Sequence, residues 1–157
     1  LSTLCEDPHR EVRIRVAQRL EEAQLSRMLR DPDYEVRKVV ARRLPLALLP
    51  LLAADTDEQV RLVVAQRLEM TTLWRLFDDP VAAVRRVVAQ RARVALLAGL
   101  AGDADWSVRW EVANRLDPSS QVDALRRLAE DADTEVRARA RERLAEMAPL
   151  LQGVPHG

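Results

Sequence analysis

The stretch LSRMLRDPDYEVRKVVARRL, residues 25–44, is the clearest copy of a pattern that runs through almost the whole chain. At about 100° per residue, Val36, Val40 and Leu44 fall within about 80° of one another with Ala41 beside them, so the second half of the stretch predicts a helix carrying one buried stripe. Asp31 is expected to cap the first amides of that helix, with Pro32 at the first helical position, where a missing N–H costs nothing. Asp33 and Glu35 then complement the positive end of the helix dipole.

Working outward, the same string returns at Leu1, Leu49, Leu73 and Leu97, a period of 24 residues, and a sixth copy starts at Leu125 after four extra residues, 121–124. The shared form is L-x-x-L-x-x-D-[PTA]-x-x-x-V-R-x-x-V-A-x-R-L. Departures sit mainly in the sixth copy, where Ala140 and Arg141 replace Val-Ala, and in the fourth, where Ala92 replaces the closing Leu. About eleven residues per copy must bring the chain back along a helix of about 18 Å, which after two turns requires more rise than an α-helix gives. Leucines spaced by three, Leu49 and Leu52, Leu73 and Leu76, Leu97 and Leu100, suit a 3₁₀ return, and a strand would want alternation and β-branched residues. The expected fold is all-α, a solenoid of six repeats of α-helix and 3₁₀-like return, each burying its stripe against its neighbours. Residues 1–148 form one repeat domain in this reading. Residues 117–148 are its carboxy-terminal cap, with an α-helix starting at Asp117 and running through Leu128, and 149–157 are a tail.

The D-P-D-x-x-V-R-x-x-V-A-x-R-L-P string at 31–45 and its copies resemble the leucine-rich repeat variant family and, more widely, the HEAT-like class. The resemblance spans residues 1 to about 144. It implies a right-handed superhelix of alternating α- and 3₁₀-helices. Members are associated with nitrogen-fixing bacteria and can carry an amino-terminal cysteine-rich module with a 4Fe–4S cluster, so the resemblance implies such a module ahead of Leu1. A chain opening on Leu1 without an initiator Met is expected to be a piece of a longer one. The cluster itself cannot be placed on these residues, because it takes four thiolates and Cys5 is the sole cysteine.

Composition narrows the function classes. The 157 residues carry 25 basic and 25 acidic side chains, with 48% apolar and 32% charged residues. That is too apolar for disorder, holds no uncharged run long enough for a membrane span, and offers no net positive field for nucleic acid or an acidic membrane. A lone cysteine and the lack of a signal-peptide pattern fit a reducing compartment, so the expected location is cytoplasmic. Glycine is scarce, at 4 residues.

Two arginine rows recur in all six copies: Arg13, Arg37, Arg61, Arg85, Arg109 and Arg137 after the first Val, and Arg19, Arg43, Arg67, Arg91, Arg115 and Arg143 before the closing position. The first row lies inside or beside the apolar stripe, where an unpaired guanidinium would cost several kcal/mol. The recurring Asp7, Asp31, Asp55, Asp79, Asp103 and Asp131 offer partners between adjacent repeats. Asp33, Asp57, Asp105 and Asp133 stand four residues before an Arg, a favourable helical spacing. A stacking ladder is favoured over a phosphate-binding row, which would leave net positive charge.

Function is expected where the repeats differ. The outer lane of the helices reads Arg10/Ile14, Tyr34/Lys38, Glu58/Leu62, Ala82/Arg86, Trp106/Trp110 and Thr134/Ala138. Tyr34, Lys38, Arg86, Trp106 and Trp110 are the candidate partner-binding residues, since Trp, Tyr and Arg dominate contact hot spots. The alternative for the Trp pair is packing on residues 117–124. The position before the second Val is Val39, Val63 and Val87 in the middle repeats but Arg15, Glu111 and Arg139 elsewhere, which predicts polar surfaces on the outer repeats. Cys5 and His9 are two ligands and do not make a metal site. No nucleophile–base set or glycine-rich phosphate loop exists, so neither a catalytic nor a cofactor-binding residue is assigned. The expectation is a non-enzymatic scaffold for a protein partner, the repeat part of an iron–sulfur protein of nitrogen fixation by resemblance. The alternative is a HEAT-like nucleic-acid binder using its Arg rows, against which the charge balance weighs.

Overall fold

The computed structural model describes residues 2–147, and the tail assigned to 149–157 lies outside the described residues. The described chain is all-α. It alternates η1 (Ser2–Glu6), α1 (Arg10–Arg19), η2 (Glu22–Met28), α2 (Tyr34–Arg43), η3 (Leu49–Leu52), α3 (Glu58–Arg67), η4 (Leu73–Leu76), α4 (Ala82–Arg91), η5 (Val94–Leu100), α5 (Trp106–Arg115), α6 (Val122–Leu128) and α7 (Thr134–Ala145), where η marks a 3₁₀-helix. The 24-residue period is thus one α-helix and one 3₁₀ return. In the sixth copy the four added residues let the return close as the α-helix α6.

The stripe read from the sequence is the core. Val36, Val40, Ala41 and Leu44 are fully buried, as are Val60, Val64, Ala65, Val108, Val112 and Ala113 at equivalent places. Helices α1, α2, α3 and α5 end where the closing Leu turns into extended backbone while its N–H still reaches back one turn, as from Leu44 to Val40 O at 2.7 Å and Leu68 to Val64 O at 2.8 Å. The leucines spaced by three in the returns, Leu49, Leu52, Leu73, Leu76, Leu97 and Leu100, all point inward, since three residues make one full 3₁₀ turn.

The start of each helix corrects the sequence reading. The caps are Asp33, Asp57, Asp105 and Asp133, whose side chains accept the amides of Glu35, Gln59, Ser107 and Glu135. Asp31 and its equivalents stand two residues earlier and accept the amide of the next cap residue, Asp33 N at 2.9 Å and Asp57 N to Asp55 at 2.9 Å. This side-chain turn displaces Pro8, Pro32 and Pro80 from the first helical position, since the helices begin at Arg10, Tyr34 and Ala82. It also explains the scarcity of glycine: among the described residues no backbone φ is positive, so no turn needs one. A further correction concerns Asp117. It does not start a helix but folds over the hydroxyls of Ser119 and Ser120, at 2.8 and 2.5 Å, and α6 begins only at Val122. Those two hydroxyls hold the Asp117 carboxyl down at about 2.

The chain divides into two compact units, Leu1–Val84 and Arg85–Gly157, with the division inside α4. In the first, α1 packs on α2 and α2 on α3, each backed by its own return helix. In the second, α5 and α6 both pack on α7.

Candidate functional site

The repeated polar positions decide which groups remain for a partner. Arg13 Nε lies 2.8 Å from Asp31, Arg37 Nε 2.8 Å from Asp55, and Arg61 Nε 2.7 Å from Asp79 in the first unit. In the second, Arg85 and Arg109 lie 2.7 Å from Asp103 and Asp131. Each is a two-pronged contact, with Nη2 reaching the other carboxylate oxygen, as for Arg37 and Asp55 at 2.9 Å. In Arg13, Arg37, Arg61 and Arg109 the remaining Nη1 donates to a backbone carbonyl six residues back, as from Arg37 to Asp31 O at 2.7 Å and Arg61 to Asp55 O at 2.8 Å. Every rung joins one repeat's Arg to the following repeat's Asp. Asp33, Asp57, Asp105 and Asp133, at the i,i+4 spacing, are occupied as caps and form no ion pair with those Arg residues among the described contacts. At the two ends the pattern is partial: Asp7 accepts His9 N at 2.8 Å, and Arg137 keeps its carbonyl contact to Asp131 O at 2.6 Å.

The electrostatics follow from this geometry. The hydrogen bond to Asp55 or Asp79 holds Arg37 or Arg61 above its ordinary value, against the opposing effect of burial. The hydrogen bond from Arg109 holds Asp131 below the usual carboxylate range. For Asp103, burial pushes up, and the bonds from Arg85 and the Asp105 amide outweigh it and pull the carboxyl down. The second Arg row has a different task. Arg43 donates to Ala17 O at 2.6 Å, Arg67 to Ala41 O at 2.5 Å and Arg115 to Ala89 O at 2.6 Å, each closing an orphan carbonyl near the end of the preceding helix.

The outer lane is where the repeats part company. In repeat two Tyr34 is 39% exposed, and Lys38 lies 5.5 Å above its ring and 2.9 Å from Glu35 Oε1. In repeat five Trp106 is 51% exposed, and with Arg86, Ser107, Trp110 and Glu135 it lines an open cleft of about 270 Å³. The structure therefore brings Arg86, Trp106 and Trp110 together and keeps Tyr34 and Lys38 as a separate pair in the other unit. Glu111 departs from the expected polar surface: it is only 6% exposed. Its carboxylate accepts Arg86 Nε at 3.1 Å and Gln90 Nε2 at 2.7 Å, so a buried acid anchors the Arg86 wall of the cleft where repeats two to four place Val.

A leucine-rich repeat variant, described as having a novel repetitive structural motif, is 42% identical with a TM-score of 0.83 over 91% of this chain. The repeat resembles that of this leucine-rich repeat variant. The chain spans 59% of that protein's length. An engineered protein at 16% identity superposes with a TM-score of 0.54 over 94% of this chain and 95% of its own, which shows likeness of fold alone. No family model and no curated protein matches the chain.

One surface of this repeat architecture escaped the sequence reading. Leu46 and Met70 occupy the same register just before the returns and are exposed, and Leu51 and Trp74 on η3 and η4 are exposed as well, with Arg75 over the Trp74 ring at 5.3 Å. Leucines in a return look alike in sequence, and only the three-residue periodicity separates those inside from Leu51. The iron–sulfur chemistry of the family resemblance does not fit the residues present. Cys5 is one thiol, and the described residues contain no group of three or more metal-ligating side chains. His9 turns to Asp7 at 3.3 Å. No helix among the described residues is long and apolar enough to cross a membrane.

Proposed function

We propose that the chain is a non-enzymatic, cytoplasmic repeat scaffold that binds a protein partner through the variable outer lane of its helices. The observation carrying this reading is the division of labour in the repeat. Shared Arg and Asp residues are consumed by rungs, caps and carbonyls, while the positions that differ hold an exposed indole beside a preformed cleft, the composition of a contact hot spot. Occupied guanidinium forks also speak against phosphate binding, because the Arg row would have to surrender its carboxylates first. Any iron–sulfur cluster in a nitrogen-fixation setting would sit on residues other than these, since one thiolate is present where four are needed.

The test is retention on the immobilised chain. Proteins from extract that bind the native chain and not a Trp106→Ala/Trp110→Ala variant of equal thermal stability support the scaffold. Equal retention by both, or a mobility shift of duplex DNA at micromolar protein and low salt, overturns it.

A further inference from the structure

Three aromatic side chains are exposed among the described residues: Tyr34, Trp74 and Trp106. Two of them already hold a cation of this chain, Lys38 over Tyr34 and Arg75 over Trp74. Around Tyr34 the arrangement is complete, with ring, ammonium and the Glu35 carboxylate within reach of one another. Trp106 has the same register in its repeat as Tyr34 and a second indole, Trp110, one turn further on, yet no cation lies over either ring among the described contacts.

The charges of the cleft point the same way. Arg86 is its one basic residue, and that charge is balanced from inside by Glu111 at 3.1 Å. Glu135, on α7, is exposed and makes no ion pair among the described residues. What remains uncompensated is one carboxylate facing two indoles, whose ring faces are negative. At the place equivalent to Glu135, the groove beside Tyr34 has the neutral Gln59.

We infer that the cleft of Trp106, Trp110 and Glu135 receives a cationic side chain, arginine or lysine, of the bound protein. The inference rests on the reading of this lane as a protein-binding surface and adds the chemistry of the residue that enters. Glu111 and Gln90 serve it by fixing Arg86 against the cleft wall, so the approaching cation meets a neutralised guanidinium.

The experiment is a titration of the ¹⁵N-labelled full chain with capped alanine pentapeptides bearing arginine, citrulline or glutamate at the centre. The indole N–H signals are followed, and Trp74 is the internal reference. Saturable shifts of Trp106 and Trp110 with the arginine peptide, at least fivefold weaker with citrulline, are expected. Glu135→Gln should weaken the arginine peptide about fivefold at unchanged melting temperature. Citrulline binding as well as arginine, tighter binding of the glutamate peptide, or no indole response to any peptide overturns the inference. Of these, the first two leave the lane a binding surface. If the Trp106→Ala/Trp110→Ala variant also retains every protein that the native chain retains, the scaffold reading falls separately.

Discussion

Five rungs of the ladder repeat with Nε-to-carboxylate distances of 2.7 to 2.8 Å, whereas no two repeats agree on the residues of the outer lane. The rung arginines and the lane residues stand on the same helices, and the rung aspartates in the turns that precede them. The difference teaches that sequence repetition here tracks contact between repeats and not helix formation. A position facing another copy of the motif must meet the same partner each time, and a position facing solvent is free to specialise. Arg61 and Trp106 mark the two extremes, the first 8% exposed and held by four oxygens, the second half in water beside a cleft.

Breaking a rung should have the largest effect. Arg61→Met leaves Asp79 buried without its guanidinium and should cost about 3–5 kcal/mol, or about 10 °C in melting temperature. Arg61→Met/Asp79→Leu should recover most of it, and a double variant no better than the single one would mean the rung is not the reason for the repetition. Acid should act on the same face. Asp103 and Asp131 are held below their ordinary value, so their contribution is complete above about pH 4 and lost as the pH falls through that value toward the lower folded one. Melting temperature against pH should be level from 7 to 5 and fall below 4, with a smaller fall in Arg109→Met, whose Asp131 has lost its main partner.

Smaller effects separate the two Asp rows. Asp57→Ala removes one helix cap and should cost about 1 kcal/mol, clearly less than Asp55→Ala, which also opens a rung. Chemical denaturation of the two variants measures the difference, and equal losses would return the capping role to Asp55. Glu111→Val restores the residue that repeats two to four use and should change stability by less than about 1 kcal/mol, because replacing a buried ionic contact by packing is near neutral. Its effect should appear instead in the arginine-peptide titration. At the small end, a double-mutant cycle on Tyr34 and Lys38 should give a coupling of about 0.5 kcal/mol, as expected of a cation and ring in water.

The repeat, its helix and its 3₁₀ return could be read from the chain because a stripe such as Val36, Val40 and Leu44 recurs wherever the same packing recurs. The demand of a near-buried guanidinium for a carboxylate was legible for the same reason. Which Asp caps the helix was not. Asp31 and Asp33 are two residues apart, both accept amides, and what separates them is Arg13 arriving from the preceding repeat. The task of the second Arg row was equally hidden, since its partners are backbone carbonyls 26 residues away and a carbonyl leaves no mark on the sequence. Glu111 was misjudged as surface because its burial depends on Arg86 and Gln90, one repeat earlier.

Within each repeat the ladder Asp and Arg are always six residues apart, but the span from an Arg to the next Asp stretches from 18 residues to 22 between Arg109 and Asp131 without loss of the contact. Plug and socket are therefore identical on every unit, and the spacer between them is elastic. The Arg–Asp contact by itself does not distinguish one neighbouring repeat from another. A joint of this kind is compatible with lengthening the variable outer lane by whole repeats without redesigning the contact between them.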